Sequence, residues 1–212
     1  MSRWFANPYA LAAPDNDERA PWVRYTRYPP PLWDWGSSGT DAVAAYTPEE
    51  QTLNTAVHEA AHATVYMAAG YQIGYIMLHE PGDHSHGGRA HVHYLPMSGS
   101  LLDWAVTCAA GERAEVRWMR ETGRWSLDRA WVAELLAWRD RSQIGAAYRE
   151  GYGKDLTFLG DHDDHMDYAW VMDRTDEALD LVWDRVLTLA HHLVDHRHVT
   201  GEEAARIAGF TV

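Results

Sequence analysis

The chain has 212 residues, 46% of them hydrophobic and 23% charged, with a formal charge of −13. That size and composition fit one globular domain with a sizeable core and argue against wholesale disorder. The negative balance, with no basic stripe, argues against a nucleic-acid partner and against docking on anionic lipid. A single cysteine, Cys108, excludes an intrachain disulfide and a cysteine-rich zinc ribbon. No apolar run reaches the length of a membrane span, and no basic segment leads into an apolar one at the N-terminus. A soluble, cytoplasmic protein is therefore expected.

Residues 1–46 stand apart from the rest. They hold Pro8, Pro14, Pro21 and the run Pro29-Pro30-Pro31, with Trp4, Trp22, Trp33 and Trp35 among them. Proline removes backbone donors and opposes helix, so this segment reads as an extended arm with local turns. A disordered leader would have the same prolines. The aromatic density favours an arm packed on the body or on a partner protein, a second copy of the chain included.

The body, 47–212, opens at Thr47-Pro48-Glu49-Glu50, an N-cap, a first-turn proline and two first-turn acids. The helix that follows runs to about Gly70, with Leu53, Val57, Ala61 and Val65 on one stripe. Gln72 to Glu80 and Gly88 to Tyr94 read as two strands of a hairpin around a Gly/His/Asp loop. Leu101 to Glu121 is a second helix, and Ser126 to Glu150 a third. After a loop over Gly151 to Gly160, a long helix spans Asp163 to His196, and a short one follows Thr200. The fold class is mainly α with one small β-hairpin.

Inside the first body helix lies His58-Glu59-Ala60-Ala61-His62. Residues four apart on a helix sit about 6 Å apart along its axis on one face, so the two imidazoles can converge on one tetrahedral zinc ion. Glu59 is about 100° round the helix from His58, where its carboxylate can take a proton from the attacking water and return it to a leaving amine. Zn2+ is the expected cofactor, His58 and His62 its ligands, and Glu59 the catalytic base.

The segment Ala56 to Val65 resembles the active-site helix of the FtsH-type peptidase domain found in ATP-dependent membrane proteases. Cys108 to Glu115 resembles that family's Ala-Gly-Arg-Ala-Ala-Glu helix. Gly160 to Ala169 resembles its Gly-x-x-x-Asp helix start, and Leu193 to Glu203 its C-terminal Leu-x-x-Glu-x-Leu-x-Gly-Glu-Glu turn. The blocks keep the family's order over 48–209. The resemblance implies a zincin-like FtsH-type fold and a metallopeptidase that hydrolyses peptide bonds in flexible or unfolded substrates. It also implies that an edge strand over Gly88 to Tyr94 receives the substrate by strand addition. The third zinc ligand it implies is Asp164 when aligned from Gly160, or His165 when aligned back from Ala169, with a neighbour in the same Asp/His run or a downstream Glu as the remaining alternative.

The chain departs from the family as well. It has no ATPase module or phosphate-binding loop, so the expected activity is independent of ATP. Ala61 replaces the glycine before the second histidine. A helical insertion over about 124–158 is placed to cover or reshape the cleft. Two other readings remain: a zinc hydrolase of a non-peptide amide, and a non-enzymatic binding module that keeps the fold. Among the remaining histidines, His79, His84, His86, His91 and His93 could form a second metal patch or simply be exposed. Cys108 reads as core filler.

Overall fold

The computed structural model describes residues 4–7, 24–31, 39–79, 90–95 and 99–211. In chain order it contains β1 (Phe5–Asn7), β2 (Arg24–Thr26), α1 (Gly39–Ala44), α2 (Pro48–Ala68), β3 (Ile73–Leu78) and β4 (Ala90–Tyr94). These are followed by α3 (Leu101–Glu121), α4 (Leu127–Leu136), α5 (Trp138–Tyr152), α6 (Tyr168–His196), β5 (His198–Thr200) and α7 (Gly201–Ile207). The mainly α expectation is met, with small antiparallel sheets beside the helices. Trp22, Trp33, Trp35, His84, His86, Gly88 and Arg89 lie outside the described residues.

Three helices make the frame. α2 packs against both α3 and α6, which also touch each other. Ala56, Ala60, Ala61 and Ala63 of α2 have no exposed surface, and their small side chains let the neighbouring helices close in. The start of α2 is held by a full capping box. The Thr47 hydroxyl accepts from the Glu50 N–H at 3.2 Å, and the Glu50 carboxylate accepts from the Thr47 N–H at 3.3 Å.

Against this frame lies a three-stranded antiparallel sheet in the order β4-β3-β5. Ile76 pairs with Val92 on one side and Val199 on the other, which directs that row into the core. The opposite face carries Tyr75, His91, His93 and His198. β5 was not foreseen: its three residues form a strand only because β3 offers an edge to them. β4 borders β3 alone, so it is an edge strand among the described residues.

The expected helix over Ser126 to Glu150 is two helices. α4 ends and α5 begins at Ala137, and no side chain caps the new start. The N-terminal arm is extended over 4–7 and 24–31, but against expectation it ends in a short helix, α1, over Gly39–Ala44, and both parts pack on this helix pair. β1 and β2 pair in antiparallel register, and the Trp131 indole N–H donates to the Asn7 side-chain oxygen at 3.1 Å.

α6 begins at Tyr168, five residues later than the expected Asp163, because Asp167 is its cap. The buried Asp167 carboxylate accepts from the N–H groups of Ala169 (2.9 Å) and Leu159 (2.6 Å) and from the Thr157 hydroxyl (2.9 Å). Asp167→Ala should therefore cost about 3 kcal/mol, since it removes a cap and orphans buried donors at once. A denaturation midpoint unchanged from the parent protein would show that the 157–167 loop is not fastened this way.

Candidate metal centre

The centre is built where α2 and α3 run side by side. His58 and His62, one turn apart on α2, face Thr107, Gly111 and Glu115, which recur every fourth residue on α3. His58 Nδ1 lies 2.6 Å from Glu115 Oε1, and His62 Nδ1 lies 2.6 Å from the Thr107 carbonyl oxygen. Asn54, one turn before His58, donates to the second Glu115 oxygen at 2.9 Å and so steadies that carboxylate. The α2 helix brings the two rings close, and α3 sets their orientation.

Both partners at Nδ1 are acceptors, so each Nδ1 carries a proton, and a ring in its neutral form turns its Nε2 lone pair outward. The two Nε2 atoms are 2.9 Å apart. Asp140 Oδ2, from the first turn of α5, lies 3.5 Å from His58 Nε2 and 3.7 Å from His62 Nε2. Ligand atoms held 2.0–2.1 Å from a tetrahedral zinc are spaced by roughly 3.3 Å, and these three separations scatter about that value. Three lone pairs aimed at one point repel one another unless a proton or a metal cation lies between them. His58, His62 and Asp140 are the group among the described residues that could hold a metal ion.

A second observation agrees with that fit. A Cβ placed on Gly111 would lie 2.5 Å from Nε2 of both histidines. The glycine leaves open a space next to the two nitrogens that any side chain would fill.

The electrostatics favour positive charge here. Burial alone would lower the His58 pKa, but the carboxylates of Asp140 and Glu115 lift it well above its ordinary value. Burial would raise the Asp140 pKa, yet the two imidazoles hold it below the usual carboxylate range. Glu59 behaves differently: burial, helped by Asp140 and Glu115, raises its carboxyl above the ordinary value against the pull of the imidazoles. The half-buried Glu59 carboxylate makes no hydrogen bond or ion pair among the described residues.

Asp164 is placed elsewhere. Its carboxylate accepts from the Met166 N–H at 2.9 Å and lies 3.8 Å from His165 Nδ1, in the loop before α6. His165 is exposed, with its ring edge-on to Tyr152 and Trp170. Neither is grouped with the two histidines. Sequence reasoning missed Asp140, one of 31 acidic residues, because nothing around it marks it out. Gly111 and Glu115 did carry a signal, the interval of four shared with the histidine pair.

Of the hairpin histidines, His79 Nε2 lies 3.2 Å from His91 Nδ1, and His91 Nε2 lies 3.2 Å from the Tyr75 hydroxyl. The rings of His93 and His198 stack on Tyr75. No third ligand atom joins the His79–His91 pair among the described residues. Cys108 is buried in the cluster around Ile144 and Tyr168, and burial pushes its thiol pKa up.

No protein-family model matches this chain, and no curated protein matches it. No helix among the described residues is long and apolar enough to cross a membrane.

Proposed function

We propose that this chain is a zinc metallopeptidase of the FtsH-type, zincin-like class, with His58, His62 and Asp140 as the zinc ligands and Glu59 as the catalytic base. The observation that carries the reading is the convergence of two imidazole Nε2 atoms and one carboxylate oxygen, near a Glu59 carboxyl that has no hydrogen bond or ion pair among the described residues. Asp140 replaces Asp164 and His165 as third ligand, and the helical insertion then supplies part of the site.

Zinc held there supplies Lewis acidity, which acidifies water and polarises a carbonyl. Glu59 takes the proton from the attacking water. Its raised pKa brings it nearer the range in which it can hold that proton and release it to the leaving amine. His58 and His62 keep their protons on Nδ1, through Glu115 and Thr107, so that Nε2 stays free to ligate. β4 borders β3 alone among the described residues, so its other edge is offered to an extended peptide, and Tyr94 at its end is close enough to Glu59 and Asp140 to feel their charge. A strand edge takes up extended backbone, so the substrate is a peptide or an already unfolded segment.

The test is hydrolysis of a pool of unstructured peptides by zinc-loaded protein, compared with Glu59→Gln. The variant should keep its zinc and lose turnover by about 10²–10⁴-fold, the usual worth of a positioned acid–base group. Unchanged turnover in Glu59→Gln would sink the peptidase mechanism. Hydrolysis of simple amides without peptides would favour the other zinc-hydrolase reading.

A further inference from the structure

Asp140 owes its place to its neighbour rather than to a cap of its own. α5 starts after Ala137 without a side-chain cap, so no capping hydrogen bond fixes the direction in which Asp140 points. The next residue, Arg141, is 6% exposed and meets Glu112 of α3, which has no exposed surface. Arg141 Nε donates to Glu112 Oε2 at 2.9 Å and Nη2 to Oε1 at 2.7 Å. A bidentate fork of this kind fixes angle as well as distance. Glu112 directly follows Gly111, and Arg141 directly follows Asp140. The ion pair thus clamps the two helices one residue away from the metal centre on each side.

The clamp is closed by the N-terminal arm. Arg141 Nη1 donates to the Tyr25 carbonyl in β2. The Tyr168 hydroxyl donates to Glu112 Oε2 at 2.9 Å, and the guanidinium carbon lies 4.7 Å from the Tyr168 ring and 5.3 Å from the Trp4 ring. The arm is tied to α4 in turn. Arg27 Nε donates to Glu134 Oε1 at 2.6 Å, and Asn7 receives the Trp131 N–H while its own amide donates to the Arg24 carbonyl at 2.9 Å.

We propose that the Arg141–Glu112 fork, capped by the arm at Tyr25, is the device that positions Asp140 as the third metal ligand, which makes the N-terminal arm part of the metal centre. The proposal rests on reading Asp140 as a ligand. It makes Arg141 a positioning residue: the fork touches neither substrate nor metal and acts through the side chain next to it. Residues far back in the chain thereby control coordination geometry and not merely stability.

The test uses the full chain and two readouts, zinc affinity by competition with a chromophoric chelator and the visible absorption of the cobalt-substituted protein. Arg141→Lys keeps the charge and loses the fork. It should weaken zinc binding about 10–100-fold, as loss of a group that orients a ligand commonly does, and shift the cobalt spectrum towards that of Asp140→Asn. Asn7→Ala, which loosens the arm without touching the ion pair, should shift both readouts in the same direction. Asp176→Asn breaks the Arg113 fork that joins α3 to α6 and should destabilise the fold while leaving both readouts at parent values. Parent affinity and spectrum in Arg141→Lys would overturn the proposal; should that variant fail to fold, parent values in Asn7→Ala would overturn it. A parent protein that takes up no zinc or cobalt overturns the metallopeptidase reading along with it.

Discussion

Gly111→Ala should abolish zinc binding while leaving the helices in place. The added methyl would sit 2.5 Å from two nitrogen atoms that cannot retreat, because Glu115 and the Thr107 carbonyl hold both rings from behind. Two opposed effects act on stability. Alanine inside a helix is worth up to about 1 kcal/mol over glycine, whereas an extra methyl forced into a packed site costs about 1–3 kcal/mol. The metal-free variant should therefore fold, slightly weaker than its parent, with zinc lost from elemental analysis. Gly145→Ala on α5 is the control. There a Cβ meets only the end of Arg149 at 3.9 Å, so the substitution should stabilise by about 0.5–1 kcal/mol and leave zinc untouched. Full zinc occupancy at parent affinity in Gly111→Ala would remove the strongest reason for placing the ion between α2 and α3.

Asp140→Asn should weaken zinc binding by at least about 100-fold, or about 2.7 kcal/mol, which is the upper end of what an outer partner costs. The neutral amide keeps the volume and takes away the anion between the two imidazoles. Asp164→Asn should leave the affinity near that of the parent, since its carboxylate serves the turn at Met166. The pair of variants decides between the carboxylate that lies beside the two histidines in the structure and the one implied by the family resemblance. Zinc loss in Asp164→Asn with retention in Asp140→Asn would return the assignment to the loop before α6, which would then have to rearrange to reach the histidines.

The parts of this molecule that local chemistry dictates were legible in the sequence. Thr47-Pro48-Glu49-Glu50 announces α2 by its capping chemistry alone, and α3 has the bounds its apolar stripe predicts, Leu101 to Glu121. The histidine pair follows from the helical interval. What was not legible depends on partners distant in the chain. The break at Ala137 is invisible because alanine is the best helix former and both halves are amphipathic. β5 exists only beside β3. Asp164 and Asp167 look alike in an acidic run, and only the donors gathered by Asp167 show which of them ends the loop. Asp140 needs both the break and the buried Arg141–Glu112 pair before it can be told from any surface acid.

The face that α3 turns to the histidines uses its three positions unequally. Position 107 gives only a backbone carbonyl, and the buried Thr107 hydroxyl has no hydrogen-bond partner among the described residues. Position 111 tolerates no side chain at all, and position 115 must be an acid. Divergent descendants of this chain could therefore vary the first position among side chains that fit its buried site, yet could not change the count between the three. One inserted residue would swing the far half of the helix by about 100° and carry the carboxylate off the ring it orients, whereas four would displace it by only about 40°. The signature to search for in distant genomes is a spacing, with a small buried residue, then glycine four later, then an acid four beyond that, opposite a histidine pair.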